Sequence, residues 1–296
     1  MKSNFNKISI TLMTSNIWAD VFGNPVKGRD VALVTLLERY KPDVIMLQEA
    51  HPNWHSSAVL AEGLDKNGYV LSTPDLRGND LNYTPLAFKR GRFTEEKNLF
   101  LLFEGPNDYT SKSVSGSLIR DNASGIEFAV MSTHFYFAQD EAGNAARKSN
   151  ARELCGCFDA LCGETKPGFC GENAPGFCSG TTPGFCGGDF NCDINSEPFK
   201  VLNGAGIRCA SVVAENKTNF IKTHHKNPVY DPLTGQYIPA KPSKKDNSLS
   251  IDHIVLRGGG VAVNEYMVIT DEEALIMSDH CPVLIRAEIE KQNQEA

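Results

Sequence analysis

The sequence predicts an α/β protein in which two β-sheets pack against each other and helices are few. Three observations predict it. Short apolar runs of strand length recur in both halves of the chain, and only two segments carry a clear helical period. Turn signals such as Asn67-Gly68, Pro74-Asp75 and Ser124-Gly125 punctuate the rest. Strands from two halves with few helices between them suit a pair of packed sheets better than one doubly wound parallel sheet. With 296 residues, 41% hydrophobic and 22% charged, the chain can bury a large core, which excludes disorder of the whole.

Residues 8–13 alternate Ile8, Ile10 and Leu12 with polar neighbours, as a strand does, and run into Thr14-Ser15-Asn16. Residues 29–40 place Val31, Val34, Leu36 and Leu37 at helical spacing, and Pro42 stops that helix. The run at 43–47 is a strand leading into Gln48-Glu49, so the N-terminal part reads strand, helix, strand. Residues 128–131 form a strand that leads into Ser132-Thr133-His134, and residues 251–256 a strand that carries Asp252 and His253. Residues 144–161, with Ala146, Leu154, Phe158 and Leu161, make the second helix. Each strand ends at or carries a polar residue unsuited to a core, which is where layered folds place catalytic groups.

The net charge of -7 argues against a strongly basic surface that holds nucleic acid by phosphate neutralisation alone. No apolar stretch approaches the roughly 20 residues needed to span a bilayer, and residues 1–14 alternate instead of forming a signal core. The expectation is a soluble, non-exported, cytoplasmic chain. Nine cysteines, all from Cys155 onward, are an odd, clustered set that favours reduced thiols over a disulfide framework. Pro-Gly-Phe-Cys recurs from Pro167, Pro175 and Pro183 with a constant step of eight. Zinc ligands come in pairs about 2 to 4 residues apart, so the expectation is a surface insertion at about 163–187.

Hydrolysing a phosphate ester requires neutralising negative charge, supplying a deprotonated water and stabilising the leaving oxygen. Mg²⁺ or Mn²⁺, held by carboxylate and amide oxygens, meets the first need. Asp189 and Asn191 alternate with Phe190, so at strand spacing both polar groups point to one side. They read as a water-orienting carboxylate beside an amide for a phosphoryl oxygen; an Asx-turn is the alternative. Asp279 and His280 put an acid and an imidazole side by side, and Asp252 is placed to orient and charge-stabilise His280. Glu49, after the buried-type run 44–47, is costly there unless it binds something, which favours a metal ligand. His134 and Asn16 repeat that pattern.

In their order, Ser15-Asn16, Leu47-Gln48-Glu49, Ser132-Thr133-His134, Gly188-Asp189-Phe190-Asn191, Ile251-Asp252-His253-Ile254 and Ser278-Asp279-His280-Cys281-Pro282-Val283 resemble the endonuclease/exonuclease/phosphatase superfamily over nearly the whole chain. The resemblance implies one domain over 1–296: a four-layer α/β sandwich of two mainly antiparallel sheets flanked by helices, cleaving phosphodiesters or phosphomonoesters with a divalent metal. It implies Glu49 as the principal metal ligand with Asn16 and Asp279, Asp189 positioning water, and Asn191 on the scissile phosphate. His280 would act as base or charge stabiliser oriented by Asp252, and His134 would bind the phosphate from the other side. Lys112 falls where a basic phosphate contact is expected, a solvated loop lysine being the alternative. Two departures weaken the analogy with DNA-cleaving members: residues 81–86 offer no carboxylate to partner His134, and Trp18 stands where an acid is found in others. The expected substrate is therefore a small-molecule or lipid-derived phosphoester. Lys241, Lys244 and Lys245 keep a DNA or RNA nuclease as the alternative, and a catalytically silent binding module is the third.

Overall fold

In β1 (Lys7–Asn16) the side chains of Ile10 and Leu12 enter one buried layer while Met13 enters another. Such a strand, buried on both faces, must lie between two layers. The computed structural model describes residues 6–163 and 182–291. After β1 come α1 (Arg29–Tyr40), β2 (Val44–Gln48), α2 (Pro52–His55), α3 (Ala58–Lys66), β3 (Tyr69–Leu71) and β4 (Leu86–Lys89). Next are β5 (Phe93–Leu102), β6 (Ser113–Asp121), β7 (Glu127–His134), α4 (Glu141–Cys162), β8 (Gly184–Asp189), α5 (Glu197–Gly204) and β9 (Arg208–Cys209). The chain closes with α6 (Ala210–Val213), β10 (Asn216–Thr218), β11 (Val229–Asp231), β12 (Gln236–Ile238), β13 (Asp252–Arg257), β14 (Val261–Val268), α7 (Glu272–Met277) and β15 (Val283–Glu290).

Two sheets result, ordered β10-β14-β15-β1-β2-β4-β3 and β5-β6-β7-β8-β13-β9, with β11-β12 as a separate hairpin. Pairing is mainly antiparallel, as expected, but β1 with β2, β7 with β8 and β10 with β14 run parallel. Leu12, Met46, Phe128, Phe185, Ile254 and Ile285 interlock between the sheets. Leu33, Leu36 and Trp54 cover the outer face of the first sheet, and Leu154, Phe158 and Phe199 that of the second. This is the four-layer sandwich: helices, sheet, sheet, helices. Gln48, fully buried, ties the layers by donating to Thr14 Oγ1 (3.1 Å) and Ser132 Oγ (3.0 Å).

Two expectations need correction. Helix α1 spans the expected residues, but Val31 is 53% exposed, and Leu33, Leu36 and Leu37 form its buried stripe. The third Pro-Gly-Phe-Cys repeat is not surface insertion: Gly184, Phe185 and Cys186 belong to β8 at the centre of a sheet, and the first two repeats lie outside the described residues. Its glycines continue into Gly187 and Gly188, where a Cβ would stand 2.7 Å from Thr14 Cβ and 2.1 Å from the Thr133 carbonyl oxygen. The motif thus serves close strand packing. Among the described residues, the cysteines at 157, 162, 186, 192, 209 and 281 carry free thiols.

Candidate active site

The register gathers the polar strand ends at one edge of the sandwich. Parallel pairing sets Asn16 beside Gln48, with Glu49 next, and His134 beside Asp189. Antiparallel pairing sets Asp252, the first residue of β13, opposite Asp189, and brings the start of β15 beside Thr14. Asp279 and His280, just before β15, therefore arrive at the same edge.

Asn16 is the bridge: its Nδ2 donates to Glu49 Oε1 (3.0 Å) and Asp189 Oδ2 (3.1 Å), and its Oδ1 accepts from Trp18 N–H (2.9 Å). Glu49 Oε2 accepts from Ala19 N–H (2.7 Å). Glu49 (φ 60), Trp18 (φ 57) and Asn191 (φ 51) all lie in the left-handed region, a local cost typical of functional segments. Burial pushes the Glu49 carboxyl up, but His134, Lys112 and the two donors outweigh it and hold it at about 2. Burial and the Lys112 ammonium drive the His134 ring well below its ordinary range, against the opposing pull of Glu49.

Lys112 is not the solvated loop lysine. It is 4% exposed, its Nζ 3.2 and 3.4 Å from the two ring nitrogens of His134 and 3.5 Å from Asp108 Oδ1. Where a carboxylate from 81–86 was absent, His134 thus has a cation for its neighbour, and Asn82 instead accepts from Ser115 Oγ (2.9 Å). Trp18 is structural too: it packs on Arg29, whose guanidinium donates to the carbonyls of Ile17 (2.9 Å), Trp18 (2.8 Å), Asn24 (2.8 Å) and Met277 (3.1 Å). This buried arginine ties the segment after Asn16 to the one before Asp279.

Asp189 Oδ2 is 3.6 Å from His134 Nε2 and 4.0 Å from His280 Nε2. Burial, and then the charge of Asp252, push its carboxyl up to about 7. His280 Nδ1 meets Asp252 at 2.8 Å, and Thr223 Oγ1 donates to the same carboxylate at 2.6 Å. Burial favours a neutral His280, yet Asp252 and Asp279 override it and raise the ring well above its ordinary value. Burial likewise opposes ionisation of Asp252, but the His280 charge and the hydrogen bonds from His280 and Thr223 hold it below the carboxylate range. Asp279 is raised, by burial first and also by Glu49. Beside it, His224 stacks edge-on to His280 with ring centroids 4.9 Å apart.

Asn191 departs from its expected strand position. β8 ends at Asp189, whose Oδ1 accepts from Asn191 N–H (2.8 Å) in an Asx-turn, and Asn191 Nδ2 donates to the Phe135 carbonyl (3.0 Å). The turn and the site coincide. Lys112, Thr223 and Arg29 complete the surroundings; Thr223 and Arg29 were missed because only tertiary contacts mark them.

The donor set suits a hard divalent cation. Glu49 is ionised, Asp279 and Glu49 repel each other, and Glu49, His134 and Asp189 offer ligand atoms within 4.8 Å of one another.

A family profile described as the Endonuclease/Exonuclease/phosphatase family matches residues 13–280. The chain belongs to that family. Its members hydrolyse phosphoester bonds, generally with divalent metals. Among solved structures, a family protein from Bacteroides thetaiotaomicron is similar at 19% identity, over 96% of this chain and 99% of that one, with a TM-score of 0.71. A mannosyl-6-phosphatase from the same organism matches at 17% identity, over 94% and 99%, with a TM-score of 0.67. The human Nocturnin catalytic domain with bound sulfate matches at 16% identity, over 96% and 98%, with a TM-score of 0.62. At these identities the likeness establishes the fold. No match is found among curated proteins.

Proposed function

We propose that this chain is a Mg²⁺- or Mn²⁺-dependent hydrolase of small-molecule or lipid-derived phosphoesters, acting as one domain with an insertion that ends before β8. One observation carries the reading: a buried carboxyl with its midpoint near neutrality, Asp189, stands within 4.0 Å of two histidines and is hydrogen-bonded to the amide that also holds the ionised Glu49. A general base works best when its midpoint lies near the working pH.

Glu49, Asn16 and Asp279 would hold the cation, which when bound neutralises charge on the phosphoryl oxygens. Asp189 takes the proton of the attacking water. The His280 imidazolium, oriented by Asp252, faces the charge that develops on the phosphoryl group. His134 and the amide hydrogen of Asn191 not bonded to Phe135 contact the phosphoryl oxygens, with Lys112 behind His134. Apolar side chains near the mouth support an ester with a nonpolar portion: Phe137 is 51% exposed with Lys112 Nζ 5.8 Å from its ring, and Tyr109 follows the aspartate that meets Lys112.

The nuclease reading has its own support: Lys222 N–H bonds to the Lys245 carbonyl (2.9 Å), which sets exposed Lys244 and Lys245 near the His224 side of the site. Turnover of a panel of phosphomonoesters, phosphodiesters, plasmid and RNA, with and without EDTA, decides. The expected result is metal-dependent turnover of small esters that disappears in Glu49→Gln. Metal-independent turnover, or none on any ester, overturns the reading; nucleic-acid cleavage that vanishes in His280→Ala promotes the alternative. Among the described residues no helix is long and apolar enough to cross a membrane.

A further inference from the structure

His224 lies directly opposite His280 across a short antiparallel bridge outside both sheets. Two backbone hydrogen bonds flank the pair, His225 N–H to the Asp279 carbonyl (2.9 Å) and Cys281 N–H to the Thr223 carbonyl (3.0 Å). Neither bond joins His224 and His280 themselves, so this is the narrow position of an antiparallel ladder, where facing side chains approach most closely. The Asp279 carboxylate completes a triangle: Oδ1 is 3.9 Å from His280 Nε2 and Oδ2 is 3.9 Å from His224 Nε2. All three residues offer ligand atoms within 4.8 Å of one another.

The geometry points to a cation site formed by His224, Asp279 and His280 that takes a borderline divalent ion such as Zn²⁺ or Co²⁺ and, when filled, inhibits hydrolysis. Two imidazoles and one carboxylate are the donor set such ions favour over Mg²⁺, whose preference for oxygen leads it to Glu49. The supporting contact is in place, since His280 Nδ1 is engaged by Asp252, which fixes the ring with Nε2 outward, the usual arrangement for a metal-bound histidine. A tetrahedral ion with bonds of about 2.1 Å holds its donors about 3.4 Å apart. The His224 side chain, 39% exposed, has the freedom to close the difference and the solvent access to admit the ion.

Inhibition follows from shared atoms. A metal bond to His280 Nε2 uses the lone pair there and displaces any proton it carries, so the ring cannot also face a phosphoryl oxygen; Asp279 is withdrawn from the hard-ion site as well. The inference rests on the roles proposed above for Asp279 and His280, and the test separates the two. Co²⁺ absorption is recorded on Glu49→Gln protein with and without His224→Ala, and Zn²⁺ inhibition of Mg²⁺-supported turnover is measured for wild type, His224→Ala and His224→Gln. Co²⁺ should give visible bands of nitrogen and oxygen ligation. His224→Ala and His224→Gln should weaken Zn²⁺ inhibition at least about tenfold, the scale of losing support at a metal site, with Mg²⁺ turnover kept within about twofold. Equal Co²⁺ binding with and without His224, thiolate bands that place the ion on cysteine, or both substitutions abolishing Mg²⁺ turnover as His280→Ala does would overturn it. Absence of turnover in wild type would defeat the catalytic reading but leave the Co²⁺ result to stand alone.

Discussion

Replacing Asp189 with Asn removes the proposed base and, at the same time, a buried charge that opposes folding. A carboxyl whose midpoint moves from the ordinary 3.8 to about 7 is more easily protonated folded than unfolded. The unfolded chain therefore gives up this proton at lower pH, and the contribution of Asp189 to stability falls as pH rises from about 4 to about 7. Above that range the cost approaches an upper limit of about 4 kcal/mol, at about 1.4 kcal/mol per tenfold change in proton affinity. Against it stand the hydrogen bonds from Asn16 Nδ2 and Asn191 N–H, only one of which an amide oxygen can readily accept, worth about 1 kcal/mol each. Asp189→Asn should thus be more stable than wild type in EDTA at pH 8, by about 1–2 kcal/mol, while losing turnover at least about a hundredfold. Urea unfolding of both proteins from pH 4 to pH 8, beside initial rates with Mg²⁺, checks it. A variant less stable than wild type at pH 8, or an advantage that grows on acidification, would refute the reasoning.

Asp252→Asn takes the anion from beside His280. The alkaline limb of the pH–rate profile should move to lower pH, and stability should fall by on the order of 3 kcal/mol. That deficit is present where Asp252 is ionised and His280 protonated. It should narrow on the acid side as pH falls through the depressed Asp252 midpoint, and on the alkaline side as His280 loses its proton, both read from melts across pH. Lys112→Met should lower kcat/KM by about ten- to a hundredfold, the worth of a charged hydrogen bond, and let the His134 midpoint rise, which an NMR titration of the ring would record. Gly188→Ala forces a Cβ to within 2.1 Å of the Thr133 carbonyl oxygen and should cost about 3 kcal/mol or more in thermal unfolding, with loss of activity as His134 and Asp189 separate. Gly204→Ala, with nothing within 4 Å of its Cβ, is the neutral comparison.

What the sequence made legible follows from strand parity and strand ends. Asn16, Glu49, His134, Asp189 and Asp252 each stand at the boundary of an apolar run, so their convergence required only that those runs pair in register. Lys112 was ambiguous because the loop sequence around it is polar; Asp108 is four residues away, but the other groups that surround it, His134 and Phe137, are distant in sequence and leave no periodicity to flag. Arg29 reads as an ordinary first-turn helix residue, and only the meeting of segments near residues 18, 24 and 277 reveals it as a hub. Asn191 misled for a different reason: alternation with Asp189 mimics a strand, while the left-handed backbone that ends the strand leaves no mark in residue type beyond asparagine's tolerance for it. The third Pro-Gly-Phe-Cys repeat was grouped with its predecessors by spacing, though Gly184 answers to the tight approach of Cys162 and Phe158, and the glycines just after the repeat, Gly187 and Gly188, to that of Thr14 and Thr133.

The order of strands in the first sheet also has a temporal side. β1 is flanked by β2, which is made soon after it, and by β15, which is made only after all the other strands of both sheets. At roughly 5–20 residues per second, a ribosome needs on the order of ten seconds or more between Gln48 and Val283. Throughout that interval one edge of β1 lacks its partner, Arg29 has no Met277 carbonyl to hold, and Asp279 and His280 do not yet exist. Until then the open edge of β1 is free to mispair, and the competence of the whole site arrives in one step, when β15 docks.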